Sequence, residues 1–553
     1  MTEDLFGRHE ATLTAALEAI GGRGYWSPYP EAPSGKLYGE TAPAEGEAAF
    51  KARLNRSFPL EQAGVDGWIG AEVSPYGDPL GVTYPLSGID ALVGAARHAM
   101  PAWRDAGPRT RTGVCLEILN RLNKRSFEIA HAVMHTTGQA FAMAFQAGGP
   151  HAQDRGLEAV ATAWRVMSRV PSDSLWEKPQ GRGEPLRLAK QFRIAPRGVA
   201  LVVGCATFPT WNGYPGLFAS LVTGNPVIVK PHPAAVLPLA ITVSVCRDVL
   251  AEAGFSPDLA TLLVDRPDAP VTCEIALRPE IRLIDFTGST AFGNWLEQNA
   301  RQARVFTEKA GVNVAVVAGT ADFAGMARNI AFSLCLYSGQ MCTTTQTIYI
   351  PRDGIETDLG HKTFEEVAAA IAGAVETLLA DPARAVEITG AIQSGATLER
   401  IAGARALGRV LLDSRGLVHP RFPKARVVTP LLLTSDEAGA PEGELFGPIT
   451  FLVAIDGVEA AIEAAASTVR TRGALTAAIH ATDPAVLERM EEACLESGVA
   501  LSENLTGGVF INQSAAFSDY HGTGANPAAN AALCDDAFVA DRFHVLQVRR
   551  PVS

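Results

Sequence analysis

The sequence lacks the paired cysteines that mark a metal site or a disulfide framework. Its 553 residues include eight cysteines, with no Cys-x-x-Cys pair and no histidine spacing suited to zinc. Scattered cysteines are typical of a reduced, cytoplasmic protein, in which most serve as small apolar side chains. We therefore expect a cytoplasmic protein without a metal site.

The sequence also lacks a long apolar run. No stretch reaches the roughly 18 apolar residues of a membrane-spanning helix, and residues 1–5 are acidic where a signal peptide is basic. Positive charge is in the minority, because 47 basic residues face 59 acidic ones and the formal net charge is −12. An acidic surface repels nucleic-acid phosphates, so we expect neither a membrane nor a nucleic acid as partner.

From about residue 198 the chain alternates between strand and helix patterns. Short apolar runs predict buried strands, and helical patterns lie between them; the predicted strands are 199–203, 227–230, 261–264 and 283–286, and the predicted helices are 213–223, 236–253 and 289–302. This order favours a parallel sheet whose ligands bind at the carboxyl ends of the strands. A second α/β stretch begins at 313–317 and runs to about residue 505.

Two stretches contain the residue types of covalent catalysis. Cys342 lies in 337–343, where Gly339 allows a close backbone approach and backbone N–H groups would favour a thiolate. Glu308 lies in 306–311 at a predicted strand end, where burial would make its carboxylate a general base. Taken alone, each has an ordinary alternative: a buried structural cysteine and a solvated surface carboxylate.

Two further stretches suit an anion. Residues 286–293 pass from a strand through Gly288 and Ser289 into a helix N-terminus, where free N–H groups and the helix dipole favour pyrophosphate. Lys230 ends a buried strand in 224–233, where its ammonium group needs a phosphate, a ribose hydroxyl or an acidic side chain. The alternatives are a tight turn without a ligand and a lysine that extends to solvent.

In this order the stretches resemble the aldehyde dehydrogenase superfamily, from about residue 91 to the C-terminus. Residues 286–289, Glu308, 339–342 and 444–448 follow the order of the family motifs, and Glu308 and Cys342 are 342 − 308 = 34 residues apart, as in the family. Four ordered motifs with matching intervals are far more specific than any one of them.

The resemblance implies roles for these residues. Cys342 is the expected nucleophile, which forms a thioester after hydride transfer to a nicotinamide, and Glu308 is the expected base for its hydrolysis. Lys230 is expected at the adenosine ribose and the turn of Gly288 and Ser289 at the pyrophosphate. The resemblance also implies that Glu444 and Phe446 hold the nicotinamide ribose and ring.

Two positions depart from the family pattern. Where the family has an oxyanion-binding asparagine in a Trp-Asn-Phe-Pro motif, this chain has Thr207, while Asn212 lies five residues later. The spacing favours Thr207 over Asn212. The family members that prefer NAD often carry a glutamate three residues after the lysine, and here Pro233 occupies that position. We therefore expect NADP to be accepted beside NAD and slightly preferred, with His232 as a donor to its 2′-phosphate.

The resemblance implies that the substrate is an aldehyde. The helix at about 88–104, the turn at 136–139 and residues 308–313 resemble the phenylacetate-degradation aldehyde dehydrogenases, which implies a semialdehyde carried on coenzyme A. Two alternatives stay open: a coenzyme A-acylating aldehyde dehydrogenase, which Glu308 disfavours, and a non-catalytic homologue of the fold.

The family resemblance also implies the architecture. We expect an N-terminal arm and a Rossmann-type parallel-sheet cofactor domain over residues 1–310, an α/β catalytic domain over 311–505 and a return to the cofactor domain over 506–553. A hairpin at 186–198 and a strand at 541–551 are expected to form a small oligomerisation sheet. An exposed strand edge invites self-pairing, so we expect a homodimer or a dimer of dimers.

Overall fold

The computed structural model describes residues 4–436 and 443–552. The α-helices in these ranges are α1 Leu5–Gly22, α2 Gly35–Tyr38, α3 Ala42–Lys51, α4 Ile89–Asp105, α5 Gly107–Lys124, α6 Ser126–Thr137, α7 Phe141–Gly148, α8 Pro150–Ser168, α9 Pro209–Val222, α10 Leu237–Glu252, α11 Thr272–Ala276, α12 Thr290–Asn299, α13 Phe323–Cys335, α14 Phe364–Leu378, α15 Pro382–Thr389, α16 Gly395–Ala404, α17 Val458–Arg472, α18 Pro484–Ser497 and α19 Asp536–Ala540. Two short 3-10 helices cover Pro257–Leu259 and Leu336–Gly339.

The strands of the described residues form six sheets, of which three define the architecture. The strands are β1 Val65–Ile69, β2 Tyr84–Ser87, β3 Asp173–Lys178, β4 Leu186–Pro196, β5 Val199–Val203, β6 Val227–Lys230, β7 Ala260–Leu262, β8 Ile281–Gly288, β9 Arg304–Lys309, β10 Asn313–Val317, β11 Gly319–Thr320, β12 Thr345–Pro351, β13 Ile355–Thr357, β14 Gly360–Lys362, β15 Arg409–Leu412, β16 Gly416–Leu417, β17 Val427–Val428, β18 Leu431–Asp436, β19 Ile449–Ile455, β20 Thr476–His480, β21 Ala500–Glu503 and β22 Phe543–Pro551.

The first sheet is a five-stranded parallel sheet in the order β7-β6-β5-β8-β9. All residues of β5 and β6 are buried, because helices pack on both faces of the sheet. Lys230 ends β6, and Glu308 lies at the end of β9. Both side chains therefore stand at the carboxyl edge, where ligands of such sheets bind.

The second sheet has seven strands in the order β15-β18-β19-β12-β10-β20-β21. Only β15, at one edge, is antiparallel to its neighbour. Helices α13 and α14 pack on one face and α17 and α18 on the other, each with its own apolar cluster. The two α/β sheets confirm the predicted fold class.

The third sheet has the order β22-β4-β3 and is fully antiparallel. Residues 186–198 do not form the predicted hairpin, because Leu186–Pro196 is one strand between two partners. The chain reverses earlier, in residues 179–185, where Gly181 and Gly183 stand. The predicted C-terminal edge strand is present as β22.

A buried carboxylate of the N-terminal arm, Glu72, holds the start of α10 beside the first sheet. Glu72 Oε1 accepts hydrogen bonds from the backbone N–H groups of Val236 and Leu237, at 2.6 and 3.0 Å. These donors begin α10, so the arm caps that helix and fixes the loop after Lys230. Within the described ranges, none of the helices combines the length and apolarity that a membrane crossing requires.

Candidate active site

Cys342 lies in a loop with an unusual backbone. Tyr337, Ser338 and Gly339 follow one another with φ values of 50°, 49° and 59°. Non-glycine residues in this left-handed region cost about 1–3 kcal/mol each, and such strain collects at functional sites. A side chain at Gly339 would place its Cβ 2.7 Å from the carbonyl oxygen of Gly447. The Ser-Gly-Gln-Met-Cys stretch therefore needs glycine at this position.

Buried hydrogen bonds hold this loop in place. Ser338 Oγ donates to the carbonyl oxygen of Thr389 at 3.1 Å. The amide nitrogen of Asn313, in β10, donates to the carbonyl oxygen of Cys342 at 2.8 Å. The backbone that carries the thiol is thus fixed to β10, an inner strand of the seven-stranded sheet.

Four side chains meet at the thiol. Cys342 Sγ lies 3.8 Å from Nε2 of His521, and the same nitrogen lies 3.2 Å from Oε2 of Glu308. Asn212 Nδ2 donates to that carboxylate oxygen at 3.0 Å. The other carboxylate oxygen, Oε1, is buried and has no hydrogen-bond partner among the described residues. The structure thus brings Cys342 and Glu308 together, although they come from different sheets.

The electrostatics of the cluster keep the thiol protonated. Burial and then the negative charge of Glu308 raise the pKa of Cys342 well above its usual range. For Glu308, burial acts to raise the pKa, but the charge that His521 carries when it is protonated, together with its hydrogen bond, outweighs burial and lowers the pKa. A protonated thiol is a poor nucleophile, so Cys342 must give up its proton before it can attack a carbonyl.

Glu444 approaches the cluster from the seven-stranded sheet, between β18 and β19. Burial raises its pKa to about 7, against the lowering effects of the Gly311 N–H group and Arg400. Arg400 also donates to the carbonyl oxygen of Phe446, at 2.5 Å. One arginine therefore anchors the backbone at Phe446 and attracts the carboxylate of Glu444.

The strand–helix turn at Gly288 and Ser289 has the form of an anion site. Ser289 caps α12 by accepting a hydrogen bond from the backbone of Phe292 at 3.4 Å, and no acidic residue occupies the first turn. A Cβ at Gly288 would lie 2.7 Å from the ring of Phe286. The bare backbone and the open helix N-terminus fit the pyrophosphate of a dinucleotide.

Lys230 has a partner that sequence spacing did not reveal. Its Nζ lies 2.8 Å from Oδ1 of Asp265, which follows the adjacent strand β7, and both side chains are buried. Pro233 has no carboxylate, and the sequence therefore predicted no acidic group that would repel a 2′-phosphate near Lys230. Asp265 instead provides a carboxylate to this lysine. His232 is exposed, and its Nδ1 accepts a hydrogen bond from the backbone of Ala234 at 3.2 Å.

Comparison with known proteins decides the family. Residues 85–524 match the model of the aldehyde dehydrogenase family. The chain belongs to the aldehyde dehydrogenase family. A crystal structure of an NAD-dependent aldehyde dehydrogenase from Burkholderia multivorans is 60% identical, with a TM-score of 0.99 and complete coverage of both chains.

Curated relatives of this aldehyde dehydrogenase are more distant. The N-succinylglutamate 5-semialdehyde dehydrogenase of Paraburkholderia xenovorans (strain LB400) is 27% identical over 72% of this chain and 77% of its own. The 2-aminomuconic 6-semialdehyde dehydrogenase of a Pseudomonas species is 26% identical over 73% of this chain and 80% of its own.

In this aldehyde dehydrogenase the two oxyanion candidates occupy different places. Asn212 lies in the first turn of α9 and contacts Glu308. Thr207 lies before the helix, and its carbonyl oxygen accepts a hydrogen bond from Gln139 at 2.7 Å. Because α9 begins at Pro209, Asn212 lies in its first turn, and its side chain reaches Glu308. The spacing of residues in the sequence does not reveal this position. Thr207 stays a prediction, and the cluster favours Asn212.

His521, like Asp265, is a residue of the site that sequence reasoning missed. Its ring packs edge-on against Trp211, with centroids 4.6 Å apart and an interplanar angle of 77°. It is a lone histidine about 180 residues from Cys342, and the only local signal is the surrounding run of glycine and asparagine. Chain distance hid the contact, which depends on the return of residues 506–553 to the cofactor sheet.

An apolar wall of the aldehyde dehydrogenase lies against the cluster of Cys342, Glu308 and His521, because one of its members, Trp211, packs on the ring of His521. Its buried members are Ala147, Phe208 and Tyr337, and its partly buried members are Met143, Cys205, Trp211 and Met341. Aromatic rings and methionines of this kind bind apolar groups through surface burial and polarisability. The wall begins at Met341, directly beside the nucleophile candidate.

Proposed function

We propose that this aldehyde dehydrogenase oxidises an aldehyde to the carboxylic acid with NAD, through a thioester on Cys342. The observation that carries the proposal is the buried contact cluster of Cys342 and Glu308, in which Glu308 keeps one carboxylate oxygen without a partner. A nucleophile and a base within reach of one another are the two groups that covalent acyl chemistry needs.

The proposed reaction uses each residue once. The deprotonated Cys342 sulfur attacks the aldehyde carbon, and the amide of Asn212 stabilises the negative carbonyl oxygen. A bound nicotinamide would supply the acceptor for the hydride that the substrate carbon loses, and the acyl group then stays on the Cys342 sulfur as a thioester. Glu308 then removes a proton from water, the resulting hydroxide attacks the thioester, and the acid leaves as Cys342 is released. Gly288, Ser289, Lys230, Glu444 and Phe446 are the residues that would hold the cofactor.

Hydrolysis is favoured over transfer to coenzyme A by the environment of Glu308. Its pKa is lowered by His521, so the carboxylate is ionised and able to accept a proton. Its Oε1 atom is buried without a hydrogen-bond partner among the described residues. A route that ends in thiol exchange needs no such base for water.

NAD is favoured over NADP by Asp265. A 2′-phosphate near Lys230 would meet the buried carboxylate of Asp265 and be repelled, whereas a ribose 2′-hydroxyl would donate to it. The similar Burkholderia multivorans protein is described as NAD-dependent. We therefore do not keep the slight preference for NADP expected from Pro233 and His232.

The apolar wall beside Cys342 favours an aldehyde with an apolar body. Relatives act on 2-aminomuconic 6-semialdehyde and on benzaldehyde, which are consistent with aromatic catabolism. The coenzyme A-linked semialdehyde of phenylacetate degradation stays a proposal that rests on the sequence resemblance.

Self-association is proposed through the β22-β4-β3 sheet. Its strands expose four large apolar side chains, Leu175, Leu186, Val545 and Leu546. An open sheet edge with exposed leucines invites a second copy, and light scattering of the purified protein measures the mass. The cytoplasm stays the proposed compartment, since all eight cysteines are free.

The test is NAD reduction by the purified protein with benzaldehyde, aliphatic semialdehydes and a coenzyme A-linked semialdehyde. We expect activity with at least one apolar aldehyde, no activity in Cys342→Ala and full activity in Cys273→Ala, which removes an exposed cysteine far from the cluster. Activity that survives in Cys342→Ala would refute the thioester route. Product release that requires coenzyme A would favour the acylating alternative.

A further inference from the structure

His521 is held as firmly as the residues it contacts. Its backbone exchanges two hydrogen bonds with Leu533, at 2.9 and 3.0 Å. Its ring is buried and packs edge-on against Trp211. These contacts fix Nε2 in one place, between the sulfur of Cys342 and Oε2 of Glu308. An imidazole so placed in a buried cluster is not explained by packing alone.

The proposed reaction requires two separate proton transfers within this cluster. The thiol of Cys342 must lose its proton before the attack, and Glu308 must later take a proton from water. If Glu308 took the thiol proton as well, it would be neutral when hydrolysis begins. A second group in contact with both atoms removes this conflict, because it can hold the first proton.

We propose that His521 is a further catalytic residue, whose Nε2 takes the proton of the Cys342 thiol and leaves Glu308 free to activate water. This inference rests on the proposed function and deepens it. In the step, the S–H bond breaks, its electron pair stays on sulfur, and an N–H bond forms on the neutral imidazole. The resulting imidazolium donates to Glu308 Oε2, and the thiolate attacks the carbonyl carbon.

The surrounding charges support this assignment. The groups that face His521 or its partners are Glu308 from β9, Cys342 from the loop after the 3-10 helix, Glu444 from the loop before β19 and Arg155 from α8. Arg155 Cζ lies 5.3 Å from the ring centre of Trp211, and its positive charge also acts to lower the pKa of Glu308. The carboxylate of Glu308 is the contact that stabilises an imidazolium, as the aspartate does for the histidine of serine hydrolases.

The experiment measures the alkylation of Cys342 by iodoacetamide as a function of pH, with the modified peptide quantified by mass spectrometry. Alkylation needs neither aldehyde nor NAD, so its outcome is separate from that of the proposed function. We compare the wild type with His521→Gln, whose amide can still donate to Glu308 but cannot titrate. The matched control is His480→Gln, another buried histidine, which lies in β20 outside the cluster.

We expect the rate of Cys342 alkylation at neutral pH to fall about 100-fold or more in His521→Gln, the order of general-base effects. The pH midpoint should move upward, toward that of an isolated buried thiol. His480→Gln should match the wild type. Circular dichroism checks that the variants fold, and His521→Ala with added imidazole provides a second route, in which imidazole should restore part of the rate.

Two results would overturn the proposal. One is an unchanged pH profile in a folded His521→Gln protein. The other is a Glu308→Gln profile that loses all reactivity at neutral pH while His521→Gln keeps it, which would make Glu308 the base for the thiol.

Discussion

Lys230 and Asp265 form an ion pair that is almost completely shielded from solvent, with Nζ 2.8 Å from Oδ1. The lysine ends β6 and the aspartate follows β7, so two neighbouring parallel strands bring opposite charges to the same sheet edge. The pair lies where the resemblance places the adenosine ribose, and it links the sheet directly to cofactor choice.

We predict that Asp265→Asn shifts the cofactor preference from NAD toward NADP. The substitution removes the charge that repels a 2′-phosphate and releases Lys230 to bind it. Because hydrogen bonds to charged groups contribute about 1.5–3 kcal/mol, the ratio of the two dissociation constants should change by about 10-fold or more. Calorimetry measures both constants without turnover.

The control for this prediction is Asp268→Asn, in the same loop, where an exposed carboxylate pairs with Arg266. It should leave both constants unchanged. A wild-type protein that already binds NADP more tightly than NAD would contradict the role given to Asp265.

Glu308→Gln should separate the two halves of the reaction. The amide cannot accept a proton from water, so turnover should fall by about 100-fold or more, the range of general-base contributions. The first hydride transfer should remain as a burst of NADH, and the acyl group should stay on Cys342, which intact-protein mass spectrometry detects. Glu274→Gln, at an exposed position in α11, is the control. Loss of the burst itself would instead place Glu308 before the hydride transfer.

The sequence predicted the parts of this site that are coded locally. Cys342, Glu308 and the turn of Gly288 and Ser289 depend on short motifs with fixed intervals. Asp265 and His521 were not predicted, because each reaches the site from a separate segment. Neither segment carries a motif. Asp265 reaches Lys230 because β6 pairs with β7, and His521 reaches Cys342 because the C-terminal segment returns to the cofactor sheet. The hairpin expected at 186–198 was wrong because the alternation of a strand does not tell which neighbour it pairs with.

Glu444 gives the site a pH dependence. Burial raises its pKa to about 7, so that in the folded protein the protonated form is favoured only below about pH 7. It therefore adds stability below its ordinary pKa, and this contribution is lost as the pH rises through about 7. The hydroxyl groups of a bound ribose would favour the ionised form of Glu444, since they donate hydrogen bonds to a carboxylate.

We accordingly expect NAD affinity to increase as the pH rises through about 7, with the release of a bound proton on binding. Calorimetry in buffers of different ionisation enthalpy measures that proton. In Glu444→Gln both the increase and the proton release should disappear, while Glu376→Gln on the exposed face of α14 should behave as the wild type. A pH dependence that persists in Glu444→Gln would contradict the assignment to Glu444.

Asn212 and Thr207 are the two candidates for the residue that stabilises the oxyanion, and substitution of each distinguishes them. Removal of one oxyanion donor costs about 100- to 1,000-fold in kcat, so Asn212→Ala should show this loss and Thr207→Val should stay within a few-fold of the wild type. Asn212 also donates to Glu308, and rapid-mixing kinetics separates the two roles. A slower NADH burst means that the amide acts on the carbonyl oxygen during attack. An unchanged burst with slower turnover means that it only positions Glu308 for hydrolysis. A large loss of the burst in Thr207→Val would return the role to the threonine, as the spacing in the sequence first indicated.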